Sequence, residues 1–328
     1  MAELFDYVLQ IIWLSSGALI LVGNSMLLFT IFYHPAFRLR SEYIVLAGLA
    51  CADALTYGLA LVIDALMHLF FIDDLLKLRL TRWQLSLLPN MIGLNMMHIA
   101  NMMLVGISFD RLLLMIKPTW YITQGTKLGW LIVGVVYGHG FVLGAVELVT
   151  GYIYLNDEPY NATSATYIYS FEFILPELLF YDFAISQLSL IVSILLYGIV
   201  LGMMLYRNSK VAASTVTNEI PQAAAKLQRM MTIKTAYSTL VTLITVVIPF
   251  AVVIVLFELE GTERIVALVA TLPGLNPMMN VWLFLIRHPT MYMGFKAALK
   301  RKTMPLNLKD WHINTSTITK VQSTVAKN

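Results

Sequence analysis

Charge is scarce in this chain. Only 12% of its 328 residues are Asp, Glu, Lys or Arg, about half of the ~25% found in soluble globular domains. A water-exposed surface cannot be built from so little. Cysteine is nearly absent: Cys51 stands alone, so no intramolecular disulfide can form and no disulfide-stapled secreted fold is open to it. No Cys/His cluster has metal-ligand spacing. No basic segment precedes the first apolar run, where Glu3 and Asp6 stand instead. That run is also too long for a signal-peptide core, so it reads as a span.

What is present is apolar, at 59% of residues, and it comes in long runs. Seven of them are about 20 residues or longer, at 8–33, 42–71, 85–114, 128–154, 177–206, 230–257 and 264–286. None alternates with the period of two that barrel strands need, so each reads as a helix closing its own backbone hydrogen bonds in lipid. The expected fold class is an all-α membrane protein, with a seven-transmembrane helix bundle over 1–287. A short amphipathic eighth helix follows at 288–302, where Met291, Phe295, Ala298 and Leu299 share a face and Lys296, Lys300 and Arg301 lie nearby. The polar tail at 303–328 reads as disordered and cytoplasmic.

Seven spans put the termini on opposite sides. With the N-terminus outside, only Lys77, Arg79, Arg82 and Arg264 of the 22 basic residues fall on the outer side. The positive-inside rule therefore predicts an extracellular N-terminus and a plasma-membrane, multi-pass arrangement. Asn161-Ala162-Thr163 then falls in an outer loop, where Asn161 is a glycosylation candidate.

Ionisable residues inside spans are costly and are functional candidates. Asp53 lies mid-span, with Asn24 and Asn276 as plausible partners in a polar core. A structural cluster tying three helices and a switch whose charge or hydration changes with state are both open to it, and the two are compatible. Asn95 and His98 on the third span are equally suited to lining a pocket and to interhelical hydrogen bonding. Asp110, Arg111, Glu147, His139, Asp182, Asp64 and His68 complete the set. Asp64, His68 and Asp182 are expected near outer ends, within reach of water.

In order along the chain, Gly23-Asn24, Leu49-Ala50-Cys51-Ala52-Asp53, Asp110-Arg111-Leu112, Pro118 with Tyr121, Trp130, Tyr197, Pro249 and Asn276-Pro277 fall on successive spans or their edges. Together they resemble the rhodopsin-like G-protein-coupled receptors across nearly the whole chain. Leu39-Arg40-Ser41-Glu42-Tyr43 and Arg287-His288-Pro289 look like nematode serpentine chemoreceptors of the Srsx type.

The resemblance implies a non-enzymatic receptor that signals to a heterotrimeric G protein, with arrestin and receptor kinases as further partners acting on the Ser/Thr-rich tail. It implies that Arg111 is held by Asp110 at rest and meets the G protein when released. It also implies that Pro249 is a pivot, since a span proline frees a carbonyl and bends its helix. Gly93, Asn95, His98, Glu147 and Asp182 are the candidate ligand contacts, for an external small molecule or peptide. A sodium ion near Asp53 is the only cofactor suggested, and membrane lipids are obligatory surroundings.

The departures are informative. Leu112, Val247 and Asn280 replace the family's tyrosine, tryptophan and tyrosine, and Arg229 stands where an acidic partner for Arg111 is usual low on the sixth helix. Gly93 lacks the carboxylate that aminergic receptors use, and the seventh span holds no lysine for a retinal Schiff base. The competing readings are a polytopic ion channel or transporter through Asp53, Asn24 and Asn276, and an intramembrane aspartyl protease. The first lacks paired repeats. The second needs two carboxylates sharing a proton, and Asp53 and Asp182 are expected at different depths.

Overall fold

The computed structural model describes residues 2–71, 89–155, 176–213, 276–279 and 289–301, together with Ile248, Val252 and Val281. Every regular element among them is helical. We number them α1 (Ala2–Tyr33), α2 (Pro35–Arg38), α3 (41–71), α4 (Pro89–Ile116), α5 (Pro118–Gln124), α6 (Thr126–Leu155), α7 (Pro176–Ala213) and α8 (Pro289–Leu299). Five stretches within them are long and apolar enough to cross a membrane: Tyr7–Tyr33, Ser41–Leu66, Asn95–Ile116, Thr126–Tyr154 and Ala184–Tyr206. Their outward faces carry exposed Leu19, Leu131, Val142 and Leu195. Such faces would drive aggregation in water and are satisfied by hydrocarbon. The sixth span and most of the seventh, with Arg229 and Pro249, lie outside the described residues, as do Asn161 and the tail.

Short connections force neighbouring helices to run antiparallel. The α1–α3 connection is the tightest: Pro35 opens α2, and Phe37 is buried against Tyr43 with ring centroids 4.9 Å apart. Proline suits a first helical turn, where its missing N–H is not needed. Gly125, with φ +53°, ends α5 in the left-handed region that a Cβ would resist. Both connections lie at one end of the bundle, with Arg38, Arg40 and Lys117, called the basic end below.

Small residues let the helices approach. On α3, a Cβ at Gly58 would sit 2.9 Å from the Leu21 Cα of α1. At Gly129 on α6 a Cβ would meet the Ser41 carbonyl oxygen of α3 at 2.8 Å. Lipid offers no hydrophobic push between helices, so close van der Waals contact of this kind is what holds them. The central core is Val45, Leu49 and Ala52 of α3, Ile99, Met103 and Leu104 of α4, Ile132 and Val136 of α6, and Leu190 of α7.

α3 is not a uniform α-helix. Residues Ala54–Ala60 and Met67–Phe71 are wound as π-helix. A π turn holds extra chain and rotates everything beyond it. Asp64, beyond the first π stretch, is turned fully inward, at 0% exposure. The expectation that its side chain reaches water is therefore not met: Asp64 faces into the bundle on the stretch that follows the first π segment. The side chain of His68 is outside the described set.

α8 docks through Met291, Gly294 and Ala298. His34 reaches the Gly294 carbonyl at 2.9 Å, and Met291 joins a cluster with Leu27, Ile31, Phe37 and Tyr43. Leu299, grouped with Met291 and Ala298 from the sequence, is 59% exposed and belongs to the outer face with Tyr292 and Met293.

Candidate functional site

At the basic end, α3 begins with Ser41 and Glu42 and α4 finishes around Asp110 and Arg111. Antiparallel packing brings these two short stretches together. The Ser41 hydroxyl does not cap its own helix; the N-cap position is Arg40, with no side-chain cap bond. It instead donates to Asp110 Oδ1 at 2.8 Å. Tyr121, on α5, donates its hydroxyl to the same carboxylate at 2.9 and 3.0 Å. Burial, and then the Asp110 charge, raise the Tyr121 phenol above its ordinary range, so it stays protonated and serves as a donor. Asp110 is 1% exposed, and such a carboxylate requires these donors.

With Asp110 held by two hydroxyls, the described partner of Arg111 is another acid. Arg111 Nη1 lies 2.8 Å from Glu42 Oε2, while Arg40 Nη2 lies 2.6 Å from Glu42 Oε1. Glu42 thus receives one arginine on each oxygen. It occupies the first turn of α3, where the helix dipole favours an anion. The side chains of Arg40, Arg111 and Glu42 are 39%, 24% and 12% exposed, so the cluster grades from water into the bundle.

Deeper in the bundle, α4 is tied to its neighbours by polar bonds. Ser108 and Ser193 of α7 lie 2.9 Å apart and both address the Leu104 carbonyl. Asn101 donates to Ser186 of α7. Toward the opposite end, Asn95 donates to the Gly140 carbonyl of α6 at 2.9 Å, and His98 Nε2 meets His139 Nδ1 at 3.2 Å. Of the candidate ligand contacts, the structure brings Asn95 and His98 together beside α6, and buries Glu147 at 4% exposure on the same helix. Gly93 lies near the start of α4, and the Asp182 side chain is outside the described set. His139 is the residue that the sequence pattern did not couple to His98. A groove of about 400 Å³ opens elsewhere, on the flank of α4, α6 and α7, lined by Met102, Gly106, Phe109, Ile132, Val135 and Ser189.

The polar core is buried at all three positions: Asn24 at 1%, Asp53 at 4% and Asn276 at 6%. Gly58 crosses α1 at Leu21. Counting from that crossing toward the basic end, Asn24 and Asp53 differ in depth by only about 3 Å of helical rise. A Cβ at Gly23 would lie 3.4 Å from Val281, which brings the seventh segment to the same region of α1. The Asn24 amide nitrogen donates to its own helix at the Ile20 carbonyl, 3.1 Å away, rather than to Asp53. A carboxylate and two amides can together offer oxygen ligands. That chemistry suits a hard cation. Pro277 is buried beside Asn276, Tyr197 is half-buried on α7, and Trp130 is 52% exposed on the outside of α6.

Comparison with known proteins gives one family. The pattern described as 7 transmembrane receptor (rhodopsin family) matches residues 23–283. No curated protein compared with the chain matches it.

Proposed function

The chain belongs to the rhodopsin family of seven-transmembrane receptors, and from that premise we propose that it carries an external chemical signal to a heterotrimeric G protein. The basic end faces the cytoplasm in this reading, and the N-terminus lies outside. The excess of Lys and Arg at that end supports the orientation.

The observation that carries the reading is the Arg111 cluster. A guanidinium at a helix end, partly open to water and paired to a carboxylate on another helix, can exchange that partner for an incoming one at modest cost. A G-protein segment entering between the helices is such a partner. The chemosensory assignment, as in nematode receptors of the Srsx type, rests on the stretches 39–43 and 287–289. The absence of a carboxylate at Gly93 argues against amines.

The ligand would approach from the end opposite Arg111, toward Asn95, His98, His139 and Glu147. A cation at Asp53, held with Asn24 and Asn276, would stabilise one arrangement of α1, α3 and the seventh span. The hydroxyl-rich tail is the natural substrate for receptor kinases and the natural dock for arrestin. The test is capture: purified receptor in lipid is mixed with a panel of nucleotide-free heterotrimers. Complex formation with one class, lost in Arg111→Ala, supports the reading. Folded receptor that captures none, with or without a screened ligand, counts against it.

A further inference from the structure

We propose that Glu42 is the resting-state restraint on Arg111, and that Arg40 is built in to make that restraint releasable. The inference rests on the receptor reading above and assigns the regulation of the same site.

Three observations support it. First, the neighbouring acid is already engaged. Both oxygens of Asp110 accept from Tyr121, and Oδ1 also accepts from Ser41, while Arg111 is turned to Glu42 at 2.8 Å. Second, Arg229, just before the sixth span in the sequence, carries the same charge as Arg111 and cannot accept from it. Glu42, on α3, therefore supplies the negative charge that the sequence of the sixth span lacks.

Third, among the described residues Glu42 has two arginines, one to each oxygen, of unequal exposure. Breaking a lone pair at a half-buried site strands a carboxylate without a partner, which is the large part of the cost. Here, when Arg111 leaves, Arg40 remains on Glu42 and the carboxylate stays neutralised. Arg40, at 39% exposure, also has water beside it and moves with the same helix turn. The consequence is an opposition of signs. Removing Glu42 frees Arg111. Removing Arg40 leaves Arg111 as the sole described cation on Glu42 and tightens its hold. A residue acting only in folding would shift both variants in one direction.

The experiment measures agonist-free guanine-nucleotide exchange by purified receptor in lipid, for wild type, Glu42→Gln, Glu42→Asp and Arg40→Gln. The account expects Glu42→Gln to raise exchange about fivefold or more, the scale of a typical two-state coupling. Glu42→Asp, which keeps the charge on a shorter stem, raises it less, and Arg40→Gln falls below wild type. Exchange in Glu42→Gln at or below the wild-type rate overturns the proposal, as does a rise in Arg40→Gln. If Glu42→Gln does not fold, the signs for Glu42→Asp and Arg40→Gln decide. If no α subunit responds to any variant, the receptor reading has failed, and the restraint is judged alone by a thermal-stability cycle of Glu42→Gln and Arg111→Gln. Non-additive shifts support the contact, and additive shifts overturn it.

Discussion

Arg111 and Glu42 meet at 2.8 Å although 69 residues separate them, because α3 and α4 are antiparallel and place their charged ends side by side. That pairing leaves Asp110 to Ser41 and Tyr121. The three contacts form one unit that joins α3, α4 and α5 at the basic end.

If Asp110 depends on its two hydroxyl donors, each removal destabilises the folded protein. Ser41→Ala and Tyr121→Phe should each cost about 1.5–3 kcal/mol, the range for hydrogen bonds to a charged group. The double variant should cost more than the sum, since it removes every described donor from a buried carboxylate. Thermal unfolding of the four proteins in lipid reads this. Equal melting temperatures would remove Asp110 from the account.

Two glycines on neighbouring helices should respond in opposite ways. Gly58→Val places atoms against the Leu21 backbone, where even a Cβ finds only 2.9 Å. Overpacking there should cost about 1–3 kcal/mol or prevent assembly. Gly138 on α6 has nothing within 4 Å of a Cβ. Gly138→Ala should be neutral or gain about 0.5–1 kcal/mol from helix propensity. Yield and melting temperature of the two variants check the crossing of α1 and α3. A tolerated Gly58→Val would mean that the helices do not cross there.

The spans were legible because lipid imposes a simple demand, about 20 mostly apolar residues in a row, and the five described spans meet it with few charged residues. The motif residues Asn24, Asp53, Asp110 and Arg111 were legible for a different reason: their order along the spans resembles that of a family whose pattern matches residues 23–283. Pairing was not legible. Glu42 stands in the sequence only as the first residue of the second span, and its role depends on which helix ends are neighbours. A signal was present, since Glu42 is an acidic residue at an end otherwise rich in Lys and Arg. Asp64 reads as water-facing from its place near a span end, and neither its inward face nor the π stretch before it can be read from composition. The bond between His98 and His139 was hidden for the same reason as Glu42: two positions 41 residues apart meet only once α4 and α6 pack.

The central claim is that this chain turns over a G protein through Arg111. The direct measurement is agonist-free nucleotide exchange by purified receptor in lipid across a panel of α subunits, wild type beside Arg111→Ala. The account predicts exchange on at least one subunit class, falling tenfold or more, roughly 1.4 kcal/mol of lost coupling, in Arg111→Ala. Exchange that persists unchanged in a folded Arg111→Ala protein would contradict it.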